Sequence, residues 1–270
     1  GDGGRKRIAH LVEMKAVSLD EARAKCEGQP GGPLVVLPMD TDYYIEISWK
    51  AYHCLAAEMS LCGGGAVEKS SYDDFYIDAS TANASGLVAG KGQASDGGCM
   101  AHIAFIAMRL KSALDVKGLI ASVGVGPNKM VARAASAAAK PGVRGPDLSP
   151  SGLVIVPPEH AREFVSHLQV TAVRGFGGKL GHALQQAIGG VKPVMLGQLA
   201  DMNLQELVQR CSASRDLAMT CGDVATVVGR LLAASRGESA EQVLQSGAPK
   251  SVLAERSFPP SMAGADVLHG

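Results

Sequence analysis

Ala66-Val67-Glu68-Lys69-Ser70-Ser71-Tyr72-Asp73-Asp74-Phe75-Tyr76-Ile77-Asp78 is the stretch on which the fold turns. Its two ends, Ala66 to Lys69 and Phe75 to Asp78, read as the strands of a hairpin, and Ser70-Ser71 offers the turn between them. Two adjacent carboxylates, Asp73 and Asp74, fall at that turn. On a flat strand neighbouring side chains point to opposite faces, so both acids address one ion cluster only from a turn or bulge. Carboxylates are hard oxygen ligands, and Mg²⁺ takes one or two of them together with substrate phosphates, which makes the pair candidate ligands of a phosphoryl-transfer centre. A solvated hairpin end is the alternative reading of the same two letters.

Outward from the hairpin, Ile47, Ala51, Leu55, Ala56 and Met59 share one face of a helix spanning Ile47 to Leu61, which Gly63 to Gly65 stop. Farther upstream, Asp20 to Cys26 reads as a short helix and Leu34 to Leu37 as a buried strand. Downstream, Thr81 to Gly98 is rich in Gly, Ala and Ser and reads as an exposed loop. Ile103, Ile106, Ala107, Leu110, Ala113 and Leu114 then follow helical spacing, Leu119 to Val125 reads as an apolar strand, and Asn128 to Ala139 as an alanine-rich helix ended by Pro141. Lys129, Arg133 and Lys140 fall within ~40° around that last helix, a stripe able to reach an anion past small alanines. The alternative is a solvated face.

Gly142 to Ser151, with its glycines and prolines, suits a linker. Beyond it the texture changes to short helices over Glu159–Leu168, Gly178–Ile188, Leu196–Val208 and Val224–Ser235. An α+β domain followed by a small all-helical one is the architecture this order predicts. Within the second part, Val173-Arg174-Gly175-Phe176-Gly177-Gly178-Lys179-Leu180-Gly181 sets a glycine turn at a helix start, where unpaired N–H groups favour phosphate and Arg174 and Lys179 add sequence-independent attraction. An ordinary helix–helix turn is the alternative.

Composition bounds these readings. The 270 residues are 46% hydrophobic and 19% charged, with 26 basic and 26 acidic side chains, so a nucleic-acid partner requires local clusters of cations. Six scattered cysteines without a CxxC pair argue against a zinc ribbon or a disulfide framework and fit a reducing compartment. No run approaches the ~20 apolar residues of a membrane span, and no membrane partner is expected.

Taken in order, these motifs resemble the Y-family, lesion-bypassing DNA polymerases. The palm signature of that family, a Ser-x-Asp-Glu run ending in a strand with a further Asp, is similar to Ser71-Tyr72-Asp73-Asp74 with Asp78. Its Asn-Lys segment closing on Lys-Pro is similar to Gly124–Arg133 and Lys140-Pro141, and Gly177-Gly178-Lys179-Leu180-Gly181 resembles the thumb hairpin of the eta branch. Asp20–Cys26 is similar to the end of the fingers, and Leu231–Gly237 with Lys250–Phe258 to the end of the thumb and the lead into the little finger. The resemblance implies a fingers remnant over 1–45, a palm with a ferredoxin-like antiparallel or mixed sheet over 46–150, a helical thumb with a helix-hairpin-helix over 151–247, and a linker into the little finger over 248–270.

It further implies two-metal nucleotidyl transfer from a deoxynucleoside triphosphate to a primer 3′-hydroxyl. Asp73 and Asp74 would be the catalytic Mg²⁺ ligands, and Lys140 and Arg133 would lie at the triphosphate. Arg174, Gly175, Gly177, Gly178, Lys179 and Gly181 would follow the primer-template DNA. A nuclear location follows from the eta branch, with a sliding clamp as a further candidate partner through regions beyond the chain. Two departures matter: Asp74 stands where the family has Glu, and the first palm strand, with another metal-binding Asp, is expected ahead of Gly1 together with most of the fingers. The expectation is that this chain alone does not polymerise DNA. A non-catalytic DNA-binding remnant using only the thumb hairpin is the second reading; a nucleotide cyclase is a third, against which the run Gly175–Gly181 counts.

Overall fold

The computed structural model describes residues 19–26, 34–35, 40–82, 96–140, 152–189 and 192–247. The chain divides into two compact units, Gly1–Glu46 and Ile47–Gly270. In the first lie α1 (Leu19–Cys26) and the opening turns of α2 (Thr41–Leu61). Acidic Asp20 and Glu21 sit in the first turn of α1, where the helix dipole favours them, and Asp40 Oδ1 accepts the Tyr43 N–H at 3.1 Å at the start of α2. The strand expected over Leu34–Leu37 does not form at Leu34–Val35, where Val35 is exposed; positions 36 and 37 lie outside the described residues.

The second unit begins with the rest of α2 packed on α3 (Asp96–Asp115). Ala51, Tyr52, Leu55 and Met59 bury against Ile106, Leu110 and Leu114. Cys54 meets the Ala113 carbonyl, and Glu58 meets Arg109 at 2.7 Å, so the two helices run antiparallel. Their core also takes Val67, Phe75 and Ile77, which belong to the hairpin β1 (Val67–Lys69) and β2 (Phe75–Ile77), antiparallel with Glu68 opposite Tyr76. Asp96–Gly98, expected in a loop, open α3 instead; residues 83–95 lie outside the described ones.

A second strand pair follows. β3 (Val123–Val125) leads into α4 (Lys129–Ala138) and on to β4 (Leu153–Ile155), which pairs parallel to β3. A side chain at Gly124 would overlap the backbone of Ala132 and Ser136, so α4 lies directly on β3, and its alanines permit the approach. The strand expected from Leu119 shrinks to Val123–Val125, because Ile120 is 94% exposed and Leu119 turns toward the helical core. The strands thus form one antiparallel and one parallel pair, not one continuous mixed sheet, among the described residues. The expected linker, 142–151, lies outside them.

The helical half comprises α5 (Ala161–Ser166), α6 (Gly178–Gly189), α7 (Leu204–Ser212), α8 (Arg215–Cys221) and α9 (Val224–Ser235), with single 3-10 turns at Pro158–His160, Val170–Ala172 and Leu196–Gln198. Val165, Leu184, Leu196, Leu207, Leu217, Val228 and Leu231 are fully buried in a core that also holds Val131 and Ala135 of α4. The helix expected over Leu196–Val208 is split, since the Asn203 side chain accepts the Gln205 and Glu206 N–H groups and starts α7 afresh. α8, begun by Ser214, and β4 have no counterpart in the expectations above.

After α9 the chain runs back across the hairpin. The Ser246 N–H donates to the Val67 carbonyl at 3.0 Å, Lys69 N–H to Ser246 Oγ at 2.7 Å, and Val67 N–H to Gln245 Oε1 at 2.9 Å. The outer edge of β1 is thereby satisfied largely by side chains instead of a strand. Residues 248–270 lie outside the described ones.

Candidate active site on the acidic hairpin

Strand alternation divides the hairpin into two faces. Val67, Phe75 and Ile77 turn toward α2 and α3; Glu68 and Tyr76, paired across the strands, turn the other way. Asp74, two residues before Tyr76, shares that second face. Both acids lie in the turn and not in a strand: Ser70 and Ser71 N–H groups donate to the Asp74 carbonyl at 2.9 and 3.2 Å. Ser71 Oγ accepts the Asp74 N–H at 3.0 Å and donates to Asp73 Oδ1 at 2.8 Å. Asp73 is left exposed and Asp74 half-buried.

Three cations meet this face. Arg133 Nη1 donates to Asp74 Oδ2 at 3.0 Å and to the Tyr76 hydroxyl at 3.2 Å. Arg174, from the glycine turn of the helical half, donates to Ser70 Oγ at 2.8 Å and to the same hydroxyl at 3.1 Å. Lys129 is buried; its ammonium donates to both Glu68 oxygens at 3.0 Å and to the Gln242 carbonyl at 3.1 Å, and pairs with Glu241 at 2.8 Å. It also stands 4.7 Å over the Tyr76 ring.

The charges respond accordingly. Burial pushes the Glu68 carboxyl up, but the Leu244 N–H and the Lys129 ammonium outweigh it, and its pKa is lowered on balance. Burial alone would depress Lys129, yet Glu241 and Glu68 hold its pKa above the ordinary lysine value. Arg133 is pushed farther into its cationic range, by the Tyr76 hydroxyl first and by Asp74 against the opposing effect of burial.

The stripe expected of Lys129, Arg133 and Lys140 is not one surface. Lys129 is buried while Arg133 is exposed, and α4 ends at Ala138, so helical periodicity does not extend to Lys140. Lys140 is exposed and makes no side-chain hydrogen bond or ion pair among the described residues. On the glycine turn, Gly175, Gly177, Gly178 and Lys179 are exposed, and positive φ angles of 86° and 57° at Gly175 and Gly178 account for those two glycines. Gly181 is buried, and a Cβ there would overlap the Phe176 carbonyl oxygen, so its role is close packing of α6 against the turn. Asp78 accepts the Ser80 N–H at 2.9 Å.

Sequence reasoning passed over Tyr76, the phenol to which both arginines donate. Its signal was available, since a period of two from Asp74 puts it on the acidic face. Glu68 carries the same signal through its pairing with Tyr76.

Two turn carboxylates fit a divalent ion of the Mg²⁺ type, which is commonly held by one or two of them with substrate phosphates completing the shell. No third His, Cys, Asp or Glu side chain joins them in a cluster among the described residues. Asp74, moreover, is already paired with Arg133.

Residues 12–137 match the model of the impB/mucB/samB (IMS) family. The chain is 31% identical over 181 residues to DNA polymerase IV of Methanoculleus marisnigri, covering 67% of this chain and 41% of the relative. It is 29% identical over 221 residues to DNA polymerase IV of Halobacterium salinarum, covering 82% and 43%. The chain therefore spans less than half the length of these curated relatives. Among solved structures, the Y-family DNA polymerase chimera Dbh-Dpo4(243-245)-Dbh aligns with a TM-score of 0.52 at 17% identity, over 84% of this chain and 57% of that one, a likeness of fold. The expected nuclear location is overturned, because these relatives come from archaea, which have no nucleus. Nor do they support the eta branch: they carry the name DNA polymerase IV, and the packing demand at Gly181 explains part of the glycine run on which that branch rested.

Proposed function

We propose, for a chain whose residues 12–137 match the impB/mucB/samB family model and whose fold is similar to that of a Y-family DNA polymerase chimera, that it is the nucleotidyl-transfer core of a translesion-type polymerase. The palm would run from α2 through β4, with the helical half after it as the thumb. The observation that carries this reading is the meeting of Asp74 with Arg133 at 3.0 Å across the hairpin and α4. It puts a metal-type carboxylate and a phosphate-type cation at one place on two different elements.

In that reaction the primer 3′-hydroxyl oxygen bonds to the α-phosphorus of a deoxynucleoside triphosphate, and pyrophosphate leaves. Bound Mg²⁺ would supply charge neutralisation at the phosphates. Asp73 and Asp74 would hold it, Arg133 and Lys140 would bind the triphosphate, and Arg174 and Lys179 with the glycine turn would face the primer-template backbone. Two carboxylates on a palm whose strands, among the described residues, form two separate pairs support a chain that binds its ligands without extending a primer by itself.

The test is Mn²⁺ binding by the purified 270-residue chain, followed by electron paramagnetic resonance. Asp73→Ala and Asp74→Ala should each weaken it at least about ten-fold, the low end of what losing even a hydrogen-bond partner of a metal ligand costs. Unchanged affinity in both would remove the catalytic reading. The second reading, a DNA-binding remnant, draws on the exposed Lys179; it gains if Lys179→Ala weakens duplex binding while the hairpin acids prove indifferent to metal.

A further inference from the structure

Arg133 is held at one nitrogen by two partners of different kinds, the charged Asp74 carboxylate and the neutral Tyr76 hydroxyl. The ion pair is open to water on both sides, its side chains 43% and 45% exposed, and exposed pairs of this kind exchange partners at little cost. The phenol is different. Tyr76 is buried, its ring is covered by Lys129, and Arg174 donates to the same oxygen. One anchor of Arg133 is therefore fixed and the other is labile.

On the metal-and-nucleotide reading given above, on which this step rests, Asp74 and Arg133 cannot serve their ligands while serving each other. A divalent cation at Asp74 Oδ2 would stand beside a guanidinium now 3.0 Å away, and a phosphate approaching Arg133 would meet the Asp74 carboxylate. Like charges at such distances repel strongly unless one partner moves.

We infer that Asp74 and Arg133 exchange partners in a single coupled step: the carboxylate passes from the guanidinium to the divalent cation, and the guanidinium, pivoting on the Tyr76 hydroxyl, passes from the carboxylate to a phosphate of the nucleotide. No covalent bond changes. Each charged group leaves one counter-charge and gains another, so no uncompensated charge is created at the hairpin. The consequence is reciprocal coupling, because either ligand removes the competitor of the other, and by linkage the enhancement is equal in both directions. The metal-free hairpin is kept from repelling itself apart by a cation that the substrate later reclaims.

The exchange makes a prediction of unusual sign. Removing one member of the pair should tighten binding of the ligand that belongs to the other. Arg133→Ala should bind Mn²⁺ alone about two- to five-fold more tightly than the unmodified chain, the range set by breaking an exposed ion pair. Arg133→Gln repeats the measurement with a shorter, neutral side chain that still donates hydrogen bonds. Asp74→Asn, with all metal chelated, should bind a deoxynucleoside triphosphate more tightly by a similar factor. Arg174→Ala is the control for bulk electrostatics, since it removes a neighbouring cation that bonds Tyr76 but not Asp74; its effect on Mn²⁺ should be smaller than that of Arg133→Ala. Equal effects of the two arginine variants, or Mn²⁺ affinity unchanged or weakened in both Arg133 variants, would overturn the exchange. If Asp74→Ala abolishes Mn²⁺ binding while Arg133→Ala does nothing, the exchange alone fails. Should neither the unmodified chain nor either Arg133 variant bind Mn²⁺, the metal reading of the hairpin fails with it.

Discussion

Lys129 and Arg133 stand four residues apart on α4 and meet the same hairpin, yet under opposite conditions. Lys129 lies against β1 with its side chain only 5% exposed and is satisfied by Glu68, Glu241 and the Gln242 carbonyl. Arg133 lies at the turn, 43% exposed, with one carboxylate. A step of four residues keeps the direction around a helix and advances about 6 Å along it. That advance carries the second cation out from under the segment 238–247, which covers the first. The same residue chemistry is thus architecture at one position and exchangeable charge at the next.

The largest effect that tests this contrast is on stability. Lys129→Ala strips the partner from the mostly buried Glu68 and unties Glu241, and breaking a buried pair from one side costs about 3 kcal/mol or more. Arg133→Ala should cost no more than about 0.5 kcal/mol, discounted for the exposure of the pair. Urea denaturation of the two variants decides the matter. Similar losses would erase the distinction between them.

Acidity sharpens it further. The Glu68 pKa is lowered in the folded chain, so its stabilisation is complete above the ordinary glutamate value of 4.5 and drains away as pH falls through the lowered one. The Lys129 pKa is raised, so its share is complete below the ordinary 10.5 and is lost as pH climbs through the raised one. Stability should therefore hold a plateau between these limits and fall on both sides. In Lys129→Met the acid-side loss should shrink or reverse, because burial is then opposed only by the Leu244 N–H and a distant Arg174. Melting temperatures from about pH 5 down to about pH 3 measure it. An acid limb of unchanged steepness would show that other carboxylates govern it.

Much of this was legible in the letters. The hairpin could be read because its Ser-Ser turn is a local signal, and α4 because its alanine run ends at a proline; the caps that start α4 and α9, Asn128 and Asp223, are seen in the structure. The pairing of β4 with β3 could not be read, since it is a contact across an intervening helix and linker. The apolar run Leu119–Val125 promised one strand, but among the described residues only Val123–Val125 find a pairing strand, and Ile120 faces water. Within the candidate site, the acids and Arg133 were legible as residue types in sequence order. The burial of Lys129 was not, because what covers it comes from Glu241 and Gln242, over a hundred positions later. No helical wheel contains that information.

Tyr76→Phe gives the finest cut. It deletes the hydroxyl to which Arg133 and Arg174 donate and keeps the ring on which Lys129 rests. If the phenol is the fixed pivot between the glycine turn and the acidic hairpin, its loss should cost about 1 kcal/mol, the usual net value of hydrogen bonds whose donors can turn to water. That corresponds to roughly 2–4 °C in a chain of this size. The direction of a second readout matters more than the size of the first. With the pivot gone, Arg133 keeps only Asp74 and should hold it no less firmly, so Mn²⁺ affinity should not rise as it does in Arg133→Ala. A rise of equal size in Tyr76→Phe would mean that the hydroxyl, not the ion pair, restrains the carboxylate, and the contrast between the two cations of α4 would then have to be redrawn around the tyrosine.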